Sequence, residues 1–314
     1  MINKNLFEQT MNLIKKKLLY ILLIISLLLN LCLFYYTHSI YDNKKHPLLD
    51  KGIILDNKND LIIRFTKLHD KLHEKTDTYG KNFSLYFEYL HTGASIGINQ
   101  RIEFFPASLT KLPLAIAYYN GLEDFSKAKT DRTATITQKD IDKGYGTLWK
   151  KGVGYKIPLS EVVRLMLEQS DNTATRILTR YLSIKYFYDL YKGLDVSYTD
   201  GNKFIVTTLS YSTILKSLYY ASILSQDNSQ LLLNYLTHSN DNNWLPAGVP
   251  EGITIAHKVG INPDYSVYQD CGIVYLPRRP YILCMMSQSD ENTAEERMVS
   301  VSKLIYDYVS SVSK

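Results

Sequence analysis

The longest apolar run in the chain is Leu18–Tyr36, 19 residues without a charge. That length matches the hydrocarbon core of a bilayer, and Tyr35 and Tyr36 suit its interface. The pattern then turns polar and irregular over 37–57, through Asn43-Lys44-Lys45-His46-Pro47, and reads as a tether. From Asp60 to about Lys75, Leu61, Ile62, Phe65, Leu68 and Leu72 recur at helical spacing. Phe83–Leu90 alternates and is β-rich, and His91-Thr92-Gly93 turns it into Ala94–Ile98, predicting a hairpin. An apolar helical run follows from Ser108 and is expected to stop at Asn120-Gly121.

Between about 122 and 225 the pattern is mostly helical, apart from a short strand at Ala134–Ile136. Helices are predicted from Leu159 through Leu167, over Thr173–Leu182, Ser212–Leu224 and Ser229–Leu236. Strand patterns return at Ile253–Val259, Ser266–Leu276 and Tyr281–Met286, and a last helix covers Ala294–Val309. The two ends therefore supply strands with flanking helices, and the middle supplies an all-α subdomain. That is an α+β fold class.

Charge sharpens the reading of the first segment. Lys4, Lys15, Lys16 and Lys17 against Glu8 hold +3 of the formal +5, leaving +2 for the rest. Nucleic-acid binders cluster cations on one face, so no nucleic-acid partner is expected. Lysines on the N-terminal flank place residues 1–17 in the cytoplasm, 18–36 across the membrane and 58–314 outside. A cleaved signal peptide, with secretion, is the alternative; it needs a small-x-small site, and none follows the run. A lipoprotein site at Cys32 is disfavoured by Leu31. Cys271 and Cys284 lie in adjacent strand patterns, where they could pair or simply fill the core. The seven histidines are scattered without zinc spacing, so no metal or other cofactor is expected.

Candidate chemistry begins with Ser108-Leu109-Thr110-Lys111. An i,i+3 pair at a helix start faces one way, so the amine can take the serine proton. Ser126/Lys129, Ser300/Lys303 and Ser311/Lys314 match the same pattern, so context must choose. Ser170-Asp171-Asn172 follows between two predicted helices, and Lys258-Val259-Gly260 lies in a predicted strand. Singly these read as a helix cap, a turn and a strand lysine. Their order around a strand–helix–insert–strand layout favours one cleft.

From about Asp60 onward the sequence resembles the class A β-lactamase and penicillin-binding protein superfamily, which carries Ser-x-x-Lys, Ser-Asp-Asn and Lys-(Thr/Ser)-Gly in that order. The resemblance implies an antiparallel sheet flanked by helices and a monomeric serine hydrolase. It implies a β-lactam or a peptidoglycan stem peptide as substrate. Ser108 would be the nucleophile and Lys111 its base. Ser170 would relay a proton to the leaving nitrogen with help from Lys258, and Asn172 would bond the substrate amide and steady Lys111. The N–H groups of Ser108 and Ile261, the latter just after Gly260, would form the oxyanion hole. Asp171 is expected to fix the loop.

Two departures from the family pattern stand out. Relatives use a loop glutamate after the Ser-Asp-Asn helix to activate the deacylating water, and no glutamate lies between Glu168 and Glu251. Asp195 and Asp200 fall there in a turn-like stretch that favours a structural role. Val259 replaces the hydroxyl residue that helps hold a substrate carboxylate, and no arginine lies between Arg180 and Arg278. Carboxylate recognition would fall to Lys258, with His257 or Tyr268. Acylation with slow turnover is the expectation. The competing functions are a catalytically inactive domain binding cell-wall material or a protein, and a structural membrane protein with a chance motif set.

Overall fold

The computed structural model describes residues 3–45, 47–49, 65–124, 132–200 and 203–311. They form two units, 1–47 and 48–314. The first is a single helix, α1 (Asn3–Lys45), in which Leu13–Thr37 has a mean hydropathy of 2.6 and no buried residues. Its length and composition suffice to cross a membrane. The helix runs past Tyr36 into the segment expected to be an irregular tether. Residues 50–57 of that tether lie outside the described residues.

The second unit opens with α2 (Thr66–Thr76), then β1 (Phe83–Tyr89) and β2 (Ala94–Ile98). A 3₁₀ turn (Ala107–Thr110) leads into α3 (Lys111–Asp124). A small hairpin of β3 (Thr133–Thr135) and β4 (Lys156–Pro158) precedes α4 (Leu159–Glu168), α5 (Asn172–Tyr181) and α6 (Ile184–Gly193). The two-residue strands β5 (Thr199–Asp200) and β6 (Lys203–Phe204) pair, and α7 (Thr208–Tyr219) and α8 (Gln226–Leu236) follow. The chain closes with β7 (Ile255–Asn262), β8 (Val267–Val274), β9 (Tyr281–Gln288) and α9 (Glu291–Ser311). The five-stranded sheet has the order β2-β1-β9-β8-β7 and is antiparallel throughout.

Both faces of the sheet are covered, which explains why β9 reads as a near-continuous apolar run and why every residue of β8 is buried, Gln269 and Asp270 included. Along β9, Tyr281, Leu283 and Met285 enter a core with α2 and α9, while Ile282, Cys284 and Met286 enter the core shared with the helical subdomain. Successive strand side chains point to opposite faces, so each layer receives alternate residues. Leu68 and Leu72 of α2 and Met298, Val301 and Ile305 of α9 are fully buried on the first face. Each such burial stabilises by about 1.5–3 kcal/mol. On the second face β1 presents polar groups that find partners: Ser84 Oγ lies 2.8 Å from Thr208 Oγ1, and Glu88 accepts from Lys216 Nζ at 3.0 Å.

Several expectations shift. Gly121 does not end α3, because its role is packing: a Cβ there would sit 3.0 Å from the Tyr186 ring. The helix α6 lies in a stretch for which no element was predicted. Cys271 and Cys284 are cross-strand register partners, and both are free thiols in the core. Arg279 is buried at the β8–β9 turn and donates to the Val309 carbonyl at 2.9 Å, holding the end of α9.

Candidate active site

Ser108 sits in the 3₁₀ turn after Ala107, whose φ of 44° is left-handed and costly for a residue with a Cβ. Lys111 opens α3 one turn later and is 3% exposed, with Nζ 3.0 Å from Ser108 Oγ. Ser170 follows the end of α4 with φ 53°, also left-handed. It offers two acceptors to Lys111 Nζ, its carbonyl at 2.5 Å and its hydroxyl at 3.0 Å. Asn172 opens α5 and accepts from the same amine at 2.8 Å through Oδ1. Lys258, buried on β7, donates to Ser170 Oγ at 3.1 Å. Ser170 Oγ therefore stands between the two lysines.

Lys111 thus faces four oxygens, yet an ammonium has three protons. As a neutral amine it can direct two N–H groups to Ser170 O and Asn172 Oδ1 and turn its lone pair to the Ser108 hydroxyl, which is the form a general base needs. Burial, then the charge of Lys258, lowers the Lys111 amine to about 7 against the opposing pull of Asp171 and Asp142. Burial likewise lowers Lys258 to about 8, partly offset by Asp270 and Asp241.

Surrounding groups hold these residues in place. Asp171 caps α5 by accepting from Ala174 N and also accepts from Leu148 N, each at 2.8 Å. The 142–148 loop packs onto this turn through Asn172 N–H, which donates to Tyr145 O at 3.1 Å. Gly146 permits the approach: its φ is 82°, and a Cβ would lie 2.5 Å from Asp171 Cα. Asn172 Nδ2 donates to Asp142 Oδ1 at 3.3 Å. Burial pushes the Asp142 carboxyl up, but hydrogen bonds from Gly144 and Asn172 and the Arg176 charge outweigh it and hold it low.

Strand register sets the remaining geometry. Tyr275 N–H donates to Thr254 O at 2.9 Å, which fixes the phase of the β7–β8 ladder. Hydrogen-bonded and non-bonded pairs alternate from there, so the pair Ile261–Tyr268 is non-bonded. The Ile261 N–H accordingly points off the free edge of the sheet, toward the Ser108 turn. Gly260 lets the two come together: a Cβ there would meet Gln269 Oε1 at 2.7 Å, Leu109 Cγ at 3.0 Å and Pro106 O at 3.3 Å. Ser108, Ser170, Lys258, Val259 and Ile261 line one cleft of about 360 Å³.

A profile for the "Beta-lactamase enzyme family" matches residues 67–309. The chain belongs to the beta-lactamase enzyme family. Among solved structures this family member is similar to one described as PBP-A, at 25% identity and a TM-score of 0.70, covering 77% of this chain and 95% of that one. A mutant of the same protein, an acyl-enzyme complex with penicillin G, matches equally well, with 96% of its chain covered. A beta-lactamase from Sphaerobacter thermophilus gives a TM-score of 0.69 at 20% identity, covering 79% and 98%. Comparison with curated protein sequences finds no significant match.

The family member departs from its own motif pattern where the sequence does. No residue of 186–208 lines the cleft among the described residues. Asp195 holds a left-handed turn (φ 53°), and Asp200 pairs with Lys203 in the β5–β6 hairpin. His257 and Tyr268 do not reach the cleft, which corrects their suggested part in carboxylate binding. His257 is buried with Nδ1 2.9 Å from Asp270 Oδ1, and Tyr268 packs on Trp244 at 5.5 Å. Alternation on β7 sends His257 away from the face that Lys258 uses. The lining residues not anticipated from sequence include Tyr145, Asp241, Trp244 and Glu291. They come from loops and a helix start with no motif of their own, and only the rarity of tryptophan, two in the chain, could have drawn attention to Trp244.

Proposed function

We propose that the chain is a membrane-anchored serine hydrolase, working outside the cytoplasm, whose Ser108 is acylated by a β-lactam or a D,D-peptide of the cell wall and deacylates slowly. The observation that carries this reading is a buried lysine, lowered to about 7, with Nζ 3.0 Å from Ser108 Oγ. As a neutral amine it takes the hydroxyl proton while Oγ attacks the carbonyl. The Ser108 and Ile261 N–H groups stabilise the oxyanion, and Gly260 admits the strand edge that carries the second. Ser170 passes a proton to the leaving nitrogen, with Lys258 holding the hydroxyl. Asn172 bonds the substrate amide. Slow deacylation is supported by the absence of any 186–208 carboxylate from the described cleft lining. The Lys15–Lys17 cluster before the apolar helix supports the outward orientation.

Intact-mass spectrometry after exposure to penicillin G tests the reading. A one-to-one adduct is expected, absent from Ser108→Ala and persisting long after free penicillin is removed. No adduct on the wild-type chain refutes it. A binding-only domain is the second reading, favoured by Val259 at the third motif, and that outcome would select it.

A further inference from the structure

The Ser108 turn and the strand that carries Ile261 are far apart in the chain, and a buried amide ties them together. Gln269 stands on β8 opposite Gly260 and is fully buried. That pair adjoins the non-bonded pair Ile261–Tyr268, so its two backbones exchange both hydrogen bonds. The Gln269 side chain lies against Gly260, and its Nε2 donates to Phe105 O at 3.0 Å, three residues before Ser108. A carbonyl accepts only from the amide nitrogen, which fixes how the amide is turned. Oε1 is left in the interior without a donor among the described residues, 2.7 Å from the place a Gly260 Cβ would take. A stranded buried acceptor costs stability, and methionine would fill a similar volume without one. Glutamine here is explained by what its N–H holds.

A second contact joins the same two segments from outside. The Phe105 ring stacks on Tyr265, with centroids 4.9 Å apart and planes 16° from parallel. Tyr265 belongs to the 3₁₀ turn (Pro263–Tyr265) between β7 and β8. One residue earlier, Phe104 exchanges both backbone hydrogen bonds with Val206, each at 2.9 Å. Phe105 is thus held to the hairpin by its carbonyl and its ring, just before Ala107 and its costly φ of 44°. Such a conformation persists only where its surroundings impose it.

We propose that Gln269 is a positioning residue for acyl transfer, with the Phe105–Tyr265 stack as an outer brace. It sets the Ser108 and Ile261 N–H groups at the spacing that one carbonyl oxygen requires. The proposal rests on acylation at Ser108 as read above. Gly260 lets the strand edge and the nucleophile turn meet, and Gln269 holds them there. The residue does not line the cleft, so it acts through the turn and not on substrate.

Rapid-mixing infrared difference spectra of the full chain in detergent test this, with penicillin G labelled with carbon-13 at its β-lactam carbonyl. After acylation the label reports the ester carbonyl on Ser108, and donors aimed at its oxygen lower the stretching frequency. Wild type is expected to give one narrow, lowered band. In Gln269→Met the band should rise in frequency and broaden. Acylation of that variant by a chromogenic cephalosporin should slow about tenfold at saturation, less than loss of a whole donor would cause. Its apparent dissociation constant should stay within about twofold of wild type, the split expected when only transition-state binding is lost. A merely structural glutamine would lower the melting temperature and leave the band in place. An unmoved band in Gln269→Met therefore overturns the proposal, whatever the rate does. Tyr265→Ala removes the outer brace at an exposed ring and should shift the band in the same direction. If Gln269→Met does not fold, an unmoved band in Tyr265→Ala overturns the proposal instead. Failure of the wild type to form any adduct refutes Ser108 as the nucleophile, and the positioning role with it.

Discussion

Lys111 Nζ stands 3.0 Å from Ser108 Oγ, one turn apart at the start of a helix, and the lysine is almost wholly buried. Burial and the charge of Lys258 favour the amine over the ammonium there. The site brings the titration of this lysine down to about 7. Its behaviour follows from that.

Acylation is expected to have a bell-shaped pH profile. Lys111 must lose its proton, so the rate rises through about 7, and Lys258 must keep its own, so the rate falls above about 8. Stopped-flow acylation with a chromogenic cephalosporin between pH 5 and 10 measures both limbs. A flat profile across pH 6–8 counts against Lys111 as the base.

Stability carries the same signature with a defined sign. Lys111 is lowered from 10.5 to about 7 on folding, so between those values the folded chain binds fewer protons than the unfolded one. Stability therefore rises with pH across that window. The penalty of burying the ammonium is full below 7 and gone above 10.5. Denaturant titrations of wild type and Lys111→Met at pH 6 and 9 should show the wild type gaining on the variant. A constant difference contradicts the shift.

Removing a single oxyanion donor should slow acylation without unfolding the chain. Ile261 lies on the edge strand with its N–H off the sheet, a place where proline is tolerated. Ile261→Pro is expected to reduce acylation by about 10²–10³ while the melting temperature stays close to wild type. Loss of less than threefold would remove Ile261 from the mechanism.

Asp171 acts on structure, not on substrate. Its carboxylate serves Ala174 N and Leu148 N, both buried contacts. Asp171→Ala leaves two donors without a partner and is expected to destabilise by about 1–3 kcal/mol. Asp171→Asn keeps an acceptor for one of the two donors and should cost less. Thermal melts of both variants measure the order.

Gly146→Ala should be worse than its size suggests. The position has φ 82°, and the added Cβ would fall 2.5 Å from Asp171 Cα, so the 142–148 loop must move off Asn172. A reduced melting temperature with weakened acylation is expected. A fully active, equally stable variant contradicts the packing.

Much of this was legible in the chain. Period-two alternation in Phe83–Tyr89 and helical spacing around Leu159–Glu168 place those elements within a residue or two. Ser108, Lys111, Ser170, Asn172 and Lys258 were singled out by motif, because chemistry that needs a fixed residue type leaves a local trace. Gly121 misled, since a glycine chosen to admit a neighbouring ring looks the same as one that ends a helix. His257 misled as well, because adjacency to Lys258 in sequence means opposite faces on a strand.

The sequence by itself determined the α+β class, the apolar helix and the candidate nucleophile with its two lysines. These depend on periodicity and on neighbours a few residues apart. Only the tertiary structure decided that the Lys111 amine is lowered to about 7, since that follows from burial and from Lys258, 147 positions away. It alone brought Asp241, Trp244 and Glu291 to the wall of the cleft that holds Ser108, because the lining of a pocket is set by which loops meet there and not by any pattern within one of them.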